Sequence, residues 1–182
     1  LGIGPLVAGC LAAWVSHPLT LPYLVWIALG AVALVGLAAA PETGAPTAAR
    51  APFSVRIPAP AGAATMAAFA ANGLFAGLSG LFLATTFHNA SHALAGATLF
   101  IVFTAGVLSQ LATARLRAPF VFALGTFSML VGLVLLVTSV RLSSPSLALF
   151  LVSGGLIGAG AGAVFKGTTG LVLAETAPEN RV

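Results

Sequence analysis

Six long runs of apolar residues, separated by polar breaks, make up most of the chain. They cover residues 1–15, 21–40, 62–86, 92–112, 119–138 and 147–174. A helix needs about 20 consecutive apolar residues to cross the hydrocarbon core of a bilayer. All but the first run reach this length. The pattern predicts an all-helical integral membrane protein with five complete spanning helices and one partial helix.

The longest polar break, residues 41–61, divides the pattern into two blocks. It contains five prolines together with Glu42, Arg50 and Arg56. Proline lacks a backbone amide donor and clashes with the preceding helical turn, so we expect no helix to run through this stretch. The sequence therefore predicts a first helical block at 1–40, a linker at 41–61 and a second helical block at 62–182.

The composition supports the membrane assignment. Hydrophobic residues make up 59% of the chain and charged residues only 5%, whereas soluble domains carry about 25% charged residues. A soluble fold could not cover its surface with so few charges, so we expect a lipid bilayer as the environment. The formal net charge of +4 comes from basic residues that lie mainly between apolar runs, and we expect no nucleic-acid partner.

The basic residues also predict an orientation. Short connections make successive helices antiparallel, so the loops alternate between the two sides of the membrane. One side then holds five arginines with a lysine near them, and the other side holds one arginine and three histidines: Arg50, Arg56, Arg115, Arg117, Arg181 and Lys166 against Arg141, His17, His88 and His92. Loops rich in arginine and lysine stay cytoplasmic. We therefore expect a multi-pass protein of the plasma or inner membrane, with residues 41–61 and 113–118 in the cytoplasm.

Three short stretches resemble motifs of one transporter family. They are GPLVAG at residues 4–9, PET at 41–43 and GVLSQLATARLRAP at 106–119. The first resembles the end of the glycine-proline motif on the fifth helix of drug:proton antiporters of the major facilitator superfamily, with Ala8 in place of a glycine. The second is similar to the triplet that ends the sixth helix in many such transporters. The third resembles a degenerate form of the loop between helices eight and nine.

The resemblance implies a fold of two six-helix bundles, of which this chain would be a fragment covering about helices five to ten of twelve. It implies a secondary active transporter that works by alternating access and exports a lipophilic or drug-like compound in exchange for protons, as a monomer when full length and without a cofactor. Proton coupling usually needs an intramembrane carboxylate. No aspartate or glutamate lies within the predicted spans, so we expect that group outside this chain.

Other functions remain open beside this one. A carrier for a sugar or another metabolite would share the same fold. A membrane enzyme or a non-transporting scaffold or sensor would belong to different classes. We expect no enzyme, because the sequence shows no catalytic pair.

Two sets of small or bending residues predict close helix contacts. Gly4, Pro5 and Gly9 lie on the first helix, and Gly154, Gly158 and Gly162 recur at intervals of four on the last one. Small residues let helices approach closely in lipid, where packing drives association. We expect these positions to serve helix packing and bending, and the first set to lie at a sliding interface between the two bundles.

A polar stripe on the first helix of the second block is the best candidate for a substrate cavity. Thr65, Asn72 and Ser79 are seven residues apart and so fall on nearly one face of a helix, with Phe69 beside them. We therefore expect Thr65, Phe69, Asn72 and Ser79 to line a cavity for an amphiphilic solute. Hydrogen bonding to a neighbouring helix is the alternative.

Lys166 is the one basic residue inside a predicted span. An ionisable group at such a position is a functional hypothesis by default. Its distance from the cytoplasmic end is only about 12 Å at about 1.5 Å per residue. Snorkelling of the long side chain to the interface is therefore the alternative.

Two further patterns point to other chemistry. GLSG at residues 77–80 matches the G-x-S-G pattern of rhomboid-type intramembrane serine proteases. A serine nucleophile needs a base within hydrogen-bond reach, and His88 or His92 would have to reach back about two helical turns. With His17, these histidines lie on the predicted outer side and no carboxylate is near them, so we expect interfacial polar residues and no metal site.

Overall fold

The computed structural model describes residues 2–15, 17–18, 20–41 and 58–175. Helix accounts for 84% of these residues, and they include no strand. The helices are α1 (Ile3–Trp14), α2 (Leu21–Ala38), α3 (Ala59–Thr85), α4 (His92–Ala112), α5 (Ala118–Arg141) and α6 (Leu147–Glu175). The predicted all-helical fold is confirmed for the described part of the chain.

Five of these helices, α2 to α6, are long and apolar enough to cross a membrane. Their most apolar 18-residue windows have mean hydropathies between 1.6 and 2.5. The first helix is shorter, with 12 residues. The prediction of five full spans and one short helix is therefore confirmed by length and composition, and the chain is a multi-pass membrane protein.

The first turn of α3 lies inside the stretch that was predicted to be a linker. Ala59 begins the helix, Pro58 precedes it and Pro60 lies in its first turn. Proline is tolerated there because the first amides of a helix have no partner within the helix. Helix α3 therefore begins three residues before the predicted start of this span at residue 62. Residues 42–57 lie outside the described part of the chain.

Helix α6 is the centre of the bundle. Helices α3, α4 and α5 all pack against it. In its most apolar 18-residue window 56% of the residues are buried, compared with 22% or less in the windows of the other four spanning helices. Side chains also form hydrogen bonds between the described helices, and each of these bonds has one partner on α6. These bonds join Thr65 to Thr168, Ser128 to the Leu156 carbonyl, and Lys166 to Gln110 and Thr113.

One face of α6 meets α4 through glycines. A Cβ atom at Gly158 would collide with the carbonyl oxygen of Val102, and one at Gly162 would collide with that of Gly106. A Cβ at Gly154 would come within 2.6 Å of the Phe75 ring of α3. The structure thus places all three predicted packing glycines of α6 at tight contacts, and at Gly158 and Gly162 the contact is with the backbone of α4.

The opposite contact of α6, with α5, uses a second set of glycines. A Cβ at Gly160 would lie 2.7 Å from the Gly125 carbonyl oxygen, and one at Gly167 would lie 2.7 Å from the Phe122 nitrogen. A Cβ at Gly125 would in turn lie 2.6 Å from the Val164 nitrogen. Helix α6 is therefore held between two neighbours whose backbones both approach it closely.

The end of the bundle near the α3–α4 loop is filled by aromatic rings. Phe150 is fully buried and stacks on Phe75, with ring centroids 5.1 Å apart. Phe82 and Phe87 pack on the same ring. These contacts fix α3 against the start of α6.

The first block touches the second through α1. Gly9 of α1 crosses Gly96 of α4 so closely that a Cβ on Gly9 would lie 2.9 Å from the Gly96 Cα, and the Pro5 carbonyl faces Gly96. Gly4 faces the Trp26 ring of α2 instead. Among the described helices, α1–α4 is the only contact between the blocks, and α2 touches α1 alone.

Replacing Gly158 by Ala tests the tight contact between α4 and α6. We expect the free energy of unfolding to fall by about 1–3 kcal/mol, because the added methyl group has no room beside the Val102 backbone. Gly155→Ala is the matched control on the same helix, since its Cβ would lie 3.7 Å from the nearest atom, on Ile101.

Thermal unfolding of both variants in detergent or nanodiscs measures the difference. We expect Gly155→Ala to stay within about 1 kcal/mol of the parent, because alanine also restricts the unfolded chain. Equal stability of the two variants would contradict the close approach of α4 to α6.

Candidate functional site

A cavity of about 270 Å³ lies where α3, α4 and α6 meet. Helix α3 contributes two residues to its lining, α4 contributes five and α6 contributes four. They are Phe69, Asn72, Val102, Phe103, Gly106, Val107, Gln110, Gly158, Ala161, Gly162 and Phe165. The wall formed by α6 includes Gly158 and Gly162, so the face that packs on α4 also borders this space.

The lining is apolar except for two side-chain amides. Asn72 and Gln110 supply them, from α3 and α4, and no lining residue is ionisable. Ligand sites commonly combine apolar walls with a few placed polar groups that fix orientation. The cavity therefore suits a small, mostly apolar molecule with a limited capacity for hydrogen bonding.

Asn72 has an unusual environment. Its side-chain oxygen Oδ1 is buried and has no hydrogen-bond partner among the described residues. A buried acceptor without a partner costs about 1–3 kcal/mol relative to a satisfied one. Such a group at the wall of a cavity marks a position where a bound molecule could supply the missing donor.

Two phenylalanines form an aromatic corner of the cavity. Phe69 of α3 and Phe165 of α6 meet edge to face, with ring centroids 5.8 Å apart and an angle of 84° between the rings. Edge-to-face geometry is a favoured arrangement of aromatic pairs. Both rings remain about half exposed, so they offer apolar surface to a ligand.

Only two of the four predicted cavity residues line the cavity. Phe69 and Asn72 line the cavity, whereas Thr65 and Ser79 do not. The Thr65 hydroxyl lies 2.7 Å from that of Thr168 on α6, which is the interhelical bonding that the sequence left open as the alternative. Ser79 is buried and donates to the Ala76 carbonyl of its own helix at 3.0 Å.

Gln110 is a lining residue that the sequence reasoning missed. It is the only glutamine in the chain and it lies within a predicted span. A polar amide at such a depth is costly unless it has a partner or a function. A lone glutamine within a span was therefore the indication that the sequence offered. Only the packing of α4 on α6 shows that this residue borders a cavity.

Lys166 binds the carbonyl end of α4. Its Nζ donates to the Gln110 carbonyl oxygen at 2.9 Å and contacts the Thr113 hydroxyl at 3.3 Å. The last carbonyls of a helix have no partner within the helix and carry partial negative charge, so a cation there is stabilising. Lys166 thus joins α6 to the end of α4. The sequence had suggested a functional charge or a side chain that snorkels to the interface, and neither prediction included this contact between helices.

The α3–α4 loop gives no indication of a metal site. His88 and His92 are both exposed, and His88 has a left-handed backbone with φ of 51°. Ser91 caps α4 by accepting the Leu94 amide. No group of three or more histidine, cysteine, aspartate or glutamate side chains in the described ranges could hold a metal ion.

No protein-family model, no curated protein and no solved structure matches this chain. The resemblance to the major facilitator superfamily stays a prediction from the three short sequence motifs.

Replacing Lys166 by Met tests its role at the end of α4. We expect the free energy of unfolding to fall by about 1–2 kcal/mol, because the terminal carbonyls of α4 lose a charged partner. Backbone amides in the last turn of α4 should also exchange hydrogen for deuterium faster. Lys166→Arg keeps the charge and several donors, so it should retain most of the protection.

A Lys166→Met protein that matches the parent in both stability and hydrogen exchange would contradict this role. It would favour snorkelling to the interface as the explanation of the lysine.

Proposed function

We propose that the protein is a secondary active transporter of the major facilitator type that moves a lipophilic solute by alternating access, with export driven by protons. The observation that carries the proposal is the partly open cavity between α3, α4 and α6, whose largely apolar lining includes Asn72 and Gln110. Its volume of about 270 Å³ is close to the lower end of typical ligand pockets, about 300–1,000 Å³.

The contact between the two blocks supports movement of one against the other. At Gly9 and Gly96 the backbones of α1 and α4 come together with no side chain between them. Transporters commonly work by rocking one helical bundle against another around a central site. We assign α1 and α2 to one bundle, α3 to α6 to the second, and residues 41–61 to the connection between them.

The charge distribution supports an orientation. Lys166 binds the end of α4 from which the loop with Arg115 and Arg117 continues. These basic groups therefore share one end of the bundle, and the bias of basic residues assigns that end to the cytoplasm. On this basis the α4–α5 loop and residues 41–61 face the cytoplasm of a cell membrane.

The other functions find less support in the site. A sugar carrier would need many hydrogen-bonding groups, whereas this lining offers two amides. An intramembrane protease would need a base for Ser79, whose hydroxyl instead donates to the Ala76 carbonyl. An apolar solute remains the best match to the walls of the cavity.

Transport in proteoliposomes tests the proposal. With an imposed proton gradient, we expect the full-length protein to move at least one dye from a panel of lipophilic fluorescent dyes, and a protonophore to abolish the movement. Val107→Trp should slow transport at least about tenfold, because Val107 lines the cavity and a tryptophan would fill space that the solute needs.

Leu108→Trp is the matched control, because Leu108 is exposed and does not line the cavity. We expect this variant to transport like the parent. Export that continues without a proton gradient would exclude antiport, and equal rates for the two tryptophan variants would exclude this cavity as the solute site.

A further inference from the structure

We propose that the cavity selects uncharged aromatic solutes that donate a hydrogen bond to the side-chain oxygen of Asn72. This inference rests on the proposed function and names the chemistry that its site recognises. Three features of the lining carry it: the absence of ionisable groups, the unpartnered oxygen of Asn72, and the aromatic corner formed by Phe69 and Phe165.

The charge of the solute follows from the walls. No ionisable side chain lines the cavity. Lys166, next to the lining residue Phe165 in sequence, directs its Nζ to Gln110 and Thr113 of α4. A charged group among apolar walls would lose its hydration without gaining a partner of opposite charge. The site therefore favours a neutral molecule.

The hydrogen bond follows from Asn72. Its Oδ1 has no donor among the described residues, although it is buried at the edge of the cavity. Asn72 is half-buried and lines the cavity, and on this proposal its side-chain amide turns so that the buried oxygen faces a bound solute. A hydroxyl or N–H group of a solute then supplies the partner that the protein does not, and removes the penalty of an unsatisfied acceptor.

The aromatic character follows from Phe69 and Phe165. Their rings are nearly perpendicular, at 84°, and both keep exposed surface. A flat ring placed in this corner can stack on one phenylalanine while it meets the other edge to face, and both geometries are favourable. Phe103 adds a third aromatic ring to the lining.

A matched set of fluorescent probes tests the inference by binding, without transport. 2-Naphthol is neutral and has a hydroxyl donor, 2-methoxynaphthalene has the same ring without a donor, and 2-naphthoate carries a charge. Binding of each probe to the protein in lipid nanodiscs is measured by fluorescence titration, with empty nanodiscs as the reference for partition into lipid. The variants are Asn72→Leu, Val107→Trp and Leu108→Trp.

We expect 2-naphthol to bind the parent about tenfold more tightly than 2-methoxynaphthalene, which is the size of effect that one satisfied buried acceptor gives. 2-Naphthoate should bind weakest. In Asn72→Leu the preference for naphthol should disappear, while 2-methoxynaphthalene binds about as before. Val107→Trp should weaken both neutral probes, and Leu108→Trp should weaken neither.

Equal affinity of the parent for the two neutral probes would overturn the inference. A preference for naphthol that survives in Asn72→Leu, or no saturable binding of any probe, would overturn it as well. The proposed function has its own test, because it is contradicted if the protein moves no dye along a proton gradient in proteoliposomes. A protein that transports without any dependence of binding on Asn72 would keep its function and lose only this account of selectivity.

Discussion

The close approach of α4 and α5 to the glycine faces of α6 is the contact on which the rest of the structure depends. In lipid the hydrophobic effect does not drive apolar helices together, because the lipid tails are as apolar as the helices. The helices associate instead through close packing and interhelical hydrogen bonds. Here the backbones of Val102 and Gly106 lie directly against Gly158 and Gly162. The hydrogen bonds between helices also converge on α6 and reinforce the contact, as Lys166 does at the end of α4.

The same face of α6 produces the cavity. Gly158 and Gly162 pack on α4 and also border the open space between α3, α4 and α6. Because these glycines carry no side chain, the α4 backbone lies directly against them, and the same two residues form part of the cavity wall. Polarity is added at two positions, Asn72 and Gln110, and Lys166 binds the backbone of the second. Helix packing and the chemistry of the candidate site therefore depend on one another.

Much of the fold could be predicted from the sequence, because the length and hydropathy of an apolar run determine whether it can span a membrane. The bounds of α4 were predicted to the residue. The start of α3 was missed because Pro60 fits a first helical turn. The site was harder to predict. Seven-residue spacing correctly placed polar groups on the inner face of α3, but the partners of Thr65 and Lys166 lie on other helices, where periodicity carries no information.

The accessibility of the cavity to water tests the central claim that a solute enters between α3, α4 and α6. Single cysteines would replace Val107, which lines the cavity, or Leu108, which is exposed and does not line it, with Cys10 changed to alanine. A charged, water-soluble thiol reagent is predicted to modify the cysteine at 107 and to be blocked by a transported dye, while the cysteine at 108 stays unreactive in lipid. Equal protection of both positions from the reagent would contradict the account.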